Sequence, residues 1–391
     1  MRVIPGIELL AGEQRGLVHA RRVGLLSHPA AVDATLRPAH ELLAAAGAHV
    51  VRLFAPEHGA GGALQDMVGS QEQQDPLSGL DVVSLYGESI ETLSPCPAAF
   101  EGLDVLVIDL VDVGARYYTY AASAVKCLEV AAKMGLQVVV ADRPNPINGR
   151  AIEGNLVHAA QRSFVGELPL PNRHGMSLGE ICRFAVREKG LELELDVVAA
   201  KGWERTAWAD ETGCPWVMPS PNMPTLDTAT VYPGTCLVEG TLLSEGRGTT
   251  RPFEIVGAPW LDALRLARDL AREDLPGVRF RPLTFLPAFH KHAGRLCQGV
   301  QLHVVDREAF RPVESGLALI IASRAQDPEA FRWRSEAYEF VADQLAIDLL
   351  AGTPTWRQAI EGGASAREIA SSWVAERKEF EVLRARAKLY P

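Results

Sequence analysis

Five short runs before residue 143 are apolar almost without a break: RVGLLSH (22–28), HVVRLFA (49–55), DVVSLYG (81–87), DVLVIDL (104–110) and LQVVVAD (136–142). A strand with one wet face alternates apolar and polar residues, so unbroken runs fit strands covered on both faces, as in a parallel sheet. Between them lie segments of helical pattern, RPAHELLAAAG (37–47) and YAASAVKCLEVAAKMG (120–135), the second ending on a glycine suited to close a helix. Strand and helix in alternation predict a right-handed, doubly wound α/β layer structure.

Beyond Gly190 the pattern loosens. LELELDVVAAKGW predicts one further strand, and a proline-rich loop follows at 214–234. The later chain has elements of its own: a helix over 261–274, a strand over 298–306 and one long terminal helix over 367–390. In that helix Ile369, Trp373, Phe380 and Leu383 form an apolar stripe. The change of pattern falls near 235–250 and divides the chain into the doubly wound α/β part, 1–240, and a second part, 241–391.

In an open parallel sheet, ligands bind beyond the carboxyl ends of the strands. The first run leads into Ser27-His28-Pro29 and the second into Pro56-Glu57-His58-Gly59. The fourth leads into DLVDVGARYYTY, with Asp109, Asp112, Arg116, Tyr117, Tyr118 and Tyr120. The fifth leads into DRPNPINGRAIEG, with Arg143, Asn145 and Asn148. One such turn is unremarkable, because Pro, Asn, Asp and Gly make turns everywhere. Four on one rim predict an active site. A second dense set, EGTLLSEGRGTTRPFE (239–254), holds Glu239, Glu245, Arg247 and Arg251. It reads either as a carboxylate-binding fork or as a buried ion-pair hinge between the domains.

Charge and motifs narrow the chemistry. The formal net charge of −10 gives no basic surface for nucleic acid or an anionic membrane. The six cysteines are scattered, with no CxxC pair, so neither a disulfide framework nor a zinc site is expected. The first strand-to-helix turn, SHPAAVD, is not GxGxxG, and GxSxG and HExxH are absent. The expectation is therefore no cofactor and no metal. Nor does the N-terminal segment join a basic start to a long apolar run, which predicts a cytoplasmic protein. Aromatic rings beside amides and carboxylates suit a sugar, and a carboxylic acid among them can protonate a glycosidic oxygen.

The motifs PEHG (56–59), DVGARYYTY (112–120), DRPNPING (142–149), RHGMSLGE (173–180), PSPNMPT (219–225) and EGTLLSEGRGTTRPFEIVGAPW (239–260) resemble the NamZ-type exo-β-N-acetylmuramidases, formerly the DUF1343 family. The likeness runs from GIELL (6–10) to the final RAKLYP and departs after PEHG, where Gly61 stands in place of the arginine of an EHG-x-R-G pattern. It implies release of terminal N-acetylmuramic acid from the non-reducing end of peptidoglycan fragments such as MurNAc–GlcNAc. The two parts are then a Rossmann-like domain, 1–240, and a smaller C-terminal α/β domain, 241–391. Glu57 is then the expected general acid, with His58 either orienting it or bonding its loop. Asp112, Asp66 and Glu245, or the substrate's own acetamido group, compete for the second role. Arg116, Arg143, Arg173 and Arg247 compete for the lactyl carboxylate. Tyr117, Tyr118, Asn145, Asn148 and Asn222 are expected on hydroxyls or the acetamide, and His174 as a further proton carrier. The rival reading of these residues is a muropeptide- or acidic-sugar-binding protein without turnover.

Overall fold

The computed structural model describes residues 2–391. Six parallel strands form the first sheet: β1 (Arg22–Ser27), β2 (His49–Ala55), β3 (Asp81–Ser84), β4 (Val105–Asp109), β5 (Val138–Ala141) and β6 (Leu195–Val198), in the order β3-β2-β1-β4-β5-β6. Four helices flank them: α1 (Gly6–Ala11), α2 (Ala39–Ala45), α3 (Tyr120–Met134) and α4 (Leu178–Glu188). Every residue of β4 and β5 is buried, which is why those runs do not alternate. Along β4, Val105 and Val107 face Ile7, Leu10, Leu42 and Leu43 of α1 and α2. Leu106 and Ile108 face Val125, Leu128 and Ile181 of α3 and α4. Opposite helices thus claim alternate side chains of one apolar run.

The C-terminal part begins with α5 (Leu226–Thr235) and continues through β7 (Ile255–Ala258), α6 (Ala263–Arg272), β8 (Val278–Phe285), β9 (Cys297–Val304) and α7 (Pro312–Gln326). Its three strands form an antiparallel sheet in the order β7-β9-β8. Helices α5 and α7 cross backbone to backbone: a Cβ on Gly234 would lie 1.8 Å from the Pro312 carbonyl oxygen, and one on Gly316 would lie 2.2 Å from that of Gly234.

The single terminal helix expected over 367–390 is instead α10 (Ala366–Ser372) and α11 (Val374–Ala385), preceded by α8 (Ala346–Ala351) and α9 (Thr355–Glu361). The break falls at Trp373, whose ring packs 5.0 Å from that of Trp356. Seating two indoles against each other sets the direction of the chain there. Ile369, Trp373 and Phe380 are buried as the stripe predicts. Strand β8 has no counterpart in the sequence reading, because Arg279, Arg281 and Pro282 disguise it as a polar linker.

Candidate active site

Strand β2 delivers the first group. After Ala55 the chain turns at Pro56, and His58 and Gly59 take left-handed backbone with φ of 78° and 79°. Glycine adopts that region freely and histidine rarely does. The turn holds Glu57 at the mouth of the sheet, 5% exposed. The Met67 amide donates to its Oε1 at 3.1 Å and the Thr119 hydroxyl to its Oε2 at 2.7 Å. His58 bonds the loop rather than the carboxyl group: its Nδ1 lies 2.8 Å from the Leu64 carbonyl oxygen.

Glu57 and His58 line a polar cavity of about 40 Å³ together with Tyr117, Tyr118, Asn222 and Arg247. The sheet rim therefore does gather residues distant in sequence. Tyr117 donates its hydroxyl to the Pro233 carbonyl of α5 and so fastens the rim to the C-terminal part. The Tyr118 hydroxyl is buried with no protein partner among the described residues. Asn222 donates to the Gln65 side chain at 2.7 Å.

Other expected residues serve the scaffold. Arg116 is buried and donates to the carbonyls of Asn155, Leu170 and Leu350. Arg173 donates to the Ile147 carbonyl and lies 5.5 Å from the Trp208 ring. Arg143 forms a two-pronged pair with Asp109, at 2.5 and 2.9 Å. Asn145 accepts from the Ile147 amide and donates to the Met176 carbonyl. Asn148, at φ 66°, caps the amides of Arg150 and Ala151. Asp112 accepts from the Gly114 amide at 2.6 Å and lies 3.4 Å from His174 Nε2, in a buried pair that does not line the cavity. These side chains have the donors and acceptors a sugar needs, but the fold's own backbone and buried side chains such as Asp109 engage them.

Glu245 is also corrected. It is fully buried between Lys291 at 2.9 Å, His290 at 3.1 Å and Arg247 at 3.3 Å. Burial opposes its ionisation, yet these cations outweigh burial and hold its carboxyl well below the usual range. Its oxygens face these cations, and Glu245 is not among the residues that line the cavity. Arg247 links it to Asp66 at 3.1 Å and Glu239 at 2.7 Å. The hinge reading of this segment thus describes its contacts. Burial likewise opposes ionisation of Asp66, but Arg247 and His290 hold its carboxyl down at about 2.

Among the cavity residues that escaped the sequence reading as site residues are Thr119, Ser220, Tyr232, Glu239, Tyr338 and Glu339. Thr119 sits inside the DVGARYYTY motif and Glu239 opens the second dense set, so both were within reach. Tyr338 and Glu339 belong to an irregular stretch with no motif. At the departure noted above, a Cβ on Gly61 would meet nothing within 4 Å, so the loop leaves open space where the family arginine would begin.

A larger, mainly apolar cavity of about 280 Å³ lies over the ends of β1, β4 and β5, lined by Val32, Asp33, Arg143, Pro144 and Trp216. Its charged groups are spent: Arg143 on Asp109, and Asp33 on the Thr35 and Arg37 amides of its own turn. The small polar cavity is where groups capable of chemistry face open space.

Comparison with known proteins shows the family. The family model described as Exo-beta-N-acetylmuramidase NamZ, N-terminal, matches residues 23–227, and its C-terminal counterpart matches residues 230–390. The peptidoglycan beta-N-acetylmuramidase NamZ of Bacillus subtilis (strain 168) is 39% identical over 392 residues, which cover 100% of this chain and 92% of that one. Two crystal structures of DUF1343 family proteins from Bacteroides fragilis NCTC 9343 superpose along its full length. One has a TM-score of 0.88 at 32% identity and is itself covered completely; the other has 0.79 at 27% identity and is 99% covered. With both halves matched in order and a relative 39% identical along the whole chain, the chain belongs to the NamZ exo-β-N-acetylmuramidase family.

Proposed function

We propose that this protein is a glycoside hydrolase that releases terminal N-acetylmuramic acid from the non-reducing end of peptidoglycan fragments, a step of cell-wall turnover. The observation that carries the reading is Glu57, a carboxyl group held by two donors at the mouth of the sheet and facing the polar cavity, in a chain of this family. The bond to be broken lies against Glu57. Tyr118, whose hydroxyl is unclaimed, and Asn222 meet the sugar's polar groups. Arg247 is the one of the four candidate arginines that lines this cavity, which supports it as the partner of the lactyl carboxylate when that group displaces Asp66.

A cavity of about 40 Å³ has room for little more than a water molecule, so a sugar enters only when a wall moves. The wall that moves in this reading is the loop over residues 58–70. It is fastened by Asp66 on Arg247 and His290, by Gln65 on Asn222, and by Met67 on Glu57 and Arg334, and these contacts open together when it moves.

Incubation with MurNAc–GlcNAc followed by product identification is the direct test. Free N-acetylmuramic acid is expected; bound but uncleaved disaccharide would instead support a binding protein. Replacing Glu57 by Gln should lower turnover of a chromogenic N-acetylmuramide by about 10² to 10⁴ with binding largely kept. Near-normal turnover would remove Glu57 from the reaction.

A further inference from the structure

The cavity holds a second carboxyl group, supplied from the far end of the chain. Tyr338 and Val341 exchange both backbone hydrogen bonds at 2.9 Å, closing a two-residue turn on Glu339 and Phe340. Both central residues have positive φ, 47° and 66°. Such a turn normally takes Asn-Gly, and a glutamate and a phenylalanine hold it against a backbone cost of about 1 kcal/mol or more each. What the strain secures is placement. Phe340 packs 5.5 Å from the Tyr86 ring, and the Tyr86 hydroxyl donates to Glu339 Oε2 at 2.8 Å. Glu339 is 4% exposed and lines the same cavity as Glu57.

The two carboxyl groups are equipped differently. Both oxygens of Glu57 receive a donor, the arrangement that suits an anion. Glu339 receives one donor on one oxygen, and its Oε1 has no protein partner among the described residues. The other groups facing Glu339 are the carboxylates of Glu57, Glu239 and Asp66 and the phenol of Tyr86. Arg247 is engaged with Glu239 and Asp66, and Arg334 lies over the Tyr338 ring.

We propose that Glu339 is the proton donor of the reaction and Glu57 the ionised carboxylate that works opposite it. The proposal rests on the glycosidase reading above, and it moves the general-acid role expected of Glu57 to a residue that no motif marks. Burial, followed by the charge of Glu57, pushes the Glu339 carboxyl well above its ordinary range, which favours its protonated form. As the anomeric carbon–oxygen bond breaks, the Glu339 O–H gives its proton to the glycosidic oxygen, which leaves as an alcohol. Water adds its oxygen to the anomeric carbon and releases one proton to the pair. One proton on two carboxyl groups is thereby restored.

Glu339→Gln and Glu57→Gln, each checked for folding by circular dichroism, should be compared on two substrates. MurNAc–GlcNAc has a poor leaving group that needs a proton; a nitrophenyl β-N-acetylmuramide has one that leaves unaided. Glu339→Gln should slow the disaccharide by about 10² to 10⁴, slow the nitrophenyl substrate by less than about tenfold, and flatten the alkaline limb of the pH profile. Glu57→Gln should slow both. Tyr86→Phe leaves Glu339 in place and removes its donor, so the alkaline limb should move to higher pH. Equal loss on both substrates in Glu339→Gln, no loss on either, or an unmoved limb in Tyr86→Phe would overturn the assignment while the muramidase reading stood. Failure of the wild type on both substrates would overturn the parent reading and this one with it.

Discussion

Arg247 allows a quantitative test of how the two parts of the chain are joined. Replacing it by Met keeps an aliphatic stem near Phe253, whose ring lies 5.0 Å from the guanidinium, and removes only the charge and its donors. Three acids lose a cation, but not equally. Glu245 retains Lys291 and His290, and Asp66 retains His290 at 3.6 Å. Glu239 is left with the Tyr338 hydroxyl at 2.5 Å as its sole donor, inside packing that leaves it 4% exposed. Removing one partner of a buried ion pair typically destabilises by about 3–5 kcal/mol, and here most of the loss should arise at Glu239. Urea unfolding at pH 7 measures it, and a cycle with Glu239→Gln locates it. The double variant should recover at least about 1–2 kcal/mol relative to Arg247→Met alone. Lowering the pH should also rescue Arg247→Met, because a stranded buried Glu239 binds a proton more tightly folded than unfolded. A loss under about 1 kcal/mol, or additive effects in the cycle, would refute the argument.

Two further predictions concern pH. The neighbouring carboxylates of Asp66 and Glu245 raise His290 from 6.5 to about 9, so the stability it contributes is complete below the unfolded value and lost as pH rises through 9. The urea midpoint should therefore fall between pH 7 and 10 in the wild type and fall less in His290→Phe. Burial raises Glu153 to about 7 from 4.5, and its Oε1 accepts from the Glu314 amide at the start of α7. The stability that its protonated form contributes, on the order of 3 kcal/mol, is present below pH 4.5 and lost as pH rises through 7. Glu153→Gln should flatten that part of the stability profile, and an unchanged slope would exclude Glu153 as its source.

The parallel sheet was legible in the sequence because burial on both faces leaves a plain mark: Val105 to Ile108 and Val138 to Val140 have no polar interruption. The antiparallel β8 left no such mark, since Arg279 and Arg281 point where a buried strand would carry valine. The site was legible in part for a similar reason. Glu57, Tyr117 and Tyr118 follow predicted strands, so topology alone brings them to one rim. Sequence shows which side chains can donate or accept, but not what they find. Arg116, Arg143, Asn145 and Asn148 look like ligand-binding groups and are occupied by carbonyls, amides and Asp109. Glu339 was hidden by the opposite problem. Its placement depends on a strained turn and on the Tyr86 phenol, neither of which has a local pattern.

The grip of Tyr117 on Pro233 and of Arg116 on Leu350 makes the cavity a seam rather than a socket. Glu57 and Glu339 stand on opposite sides of that seam, so any tilt of one part against the other alters the spacing between the two acids. Mutations far from the cleft that loosen this joint should therefore slow the chemistry while leaving both halves intact.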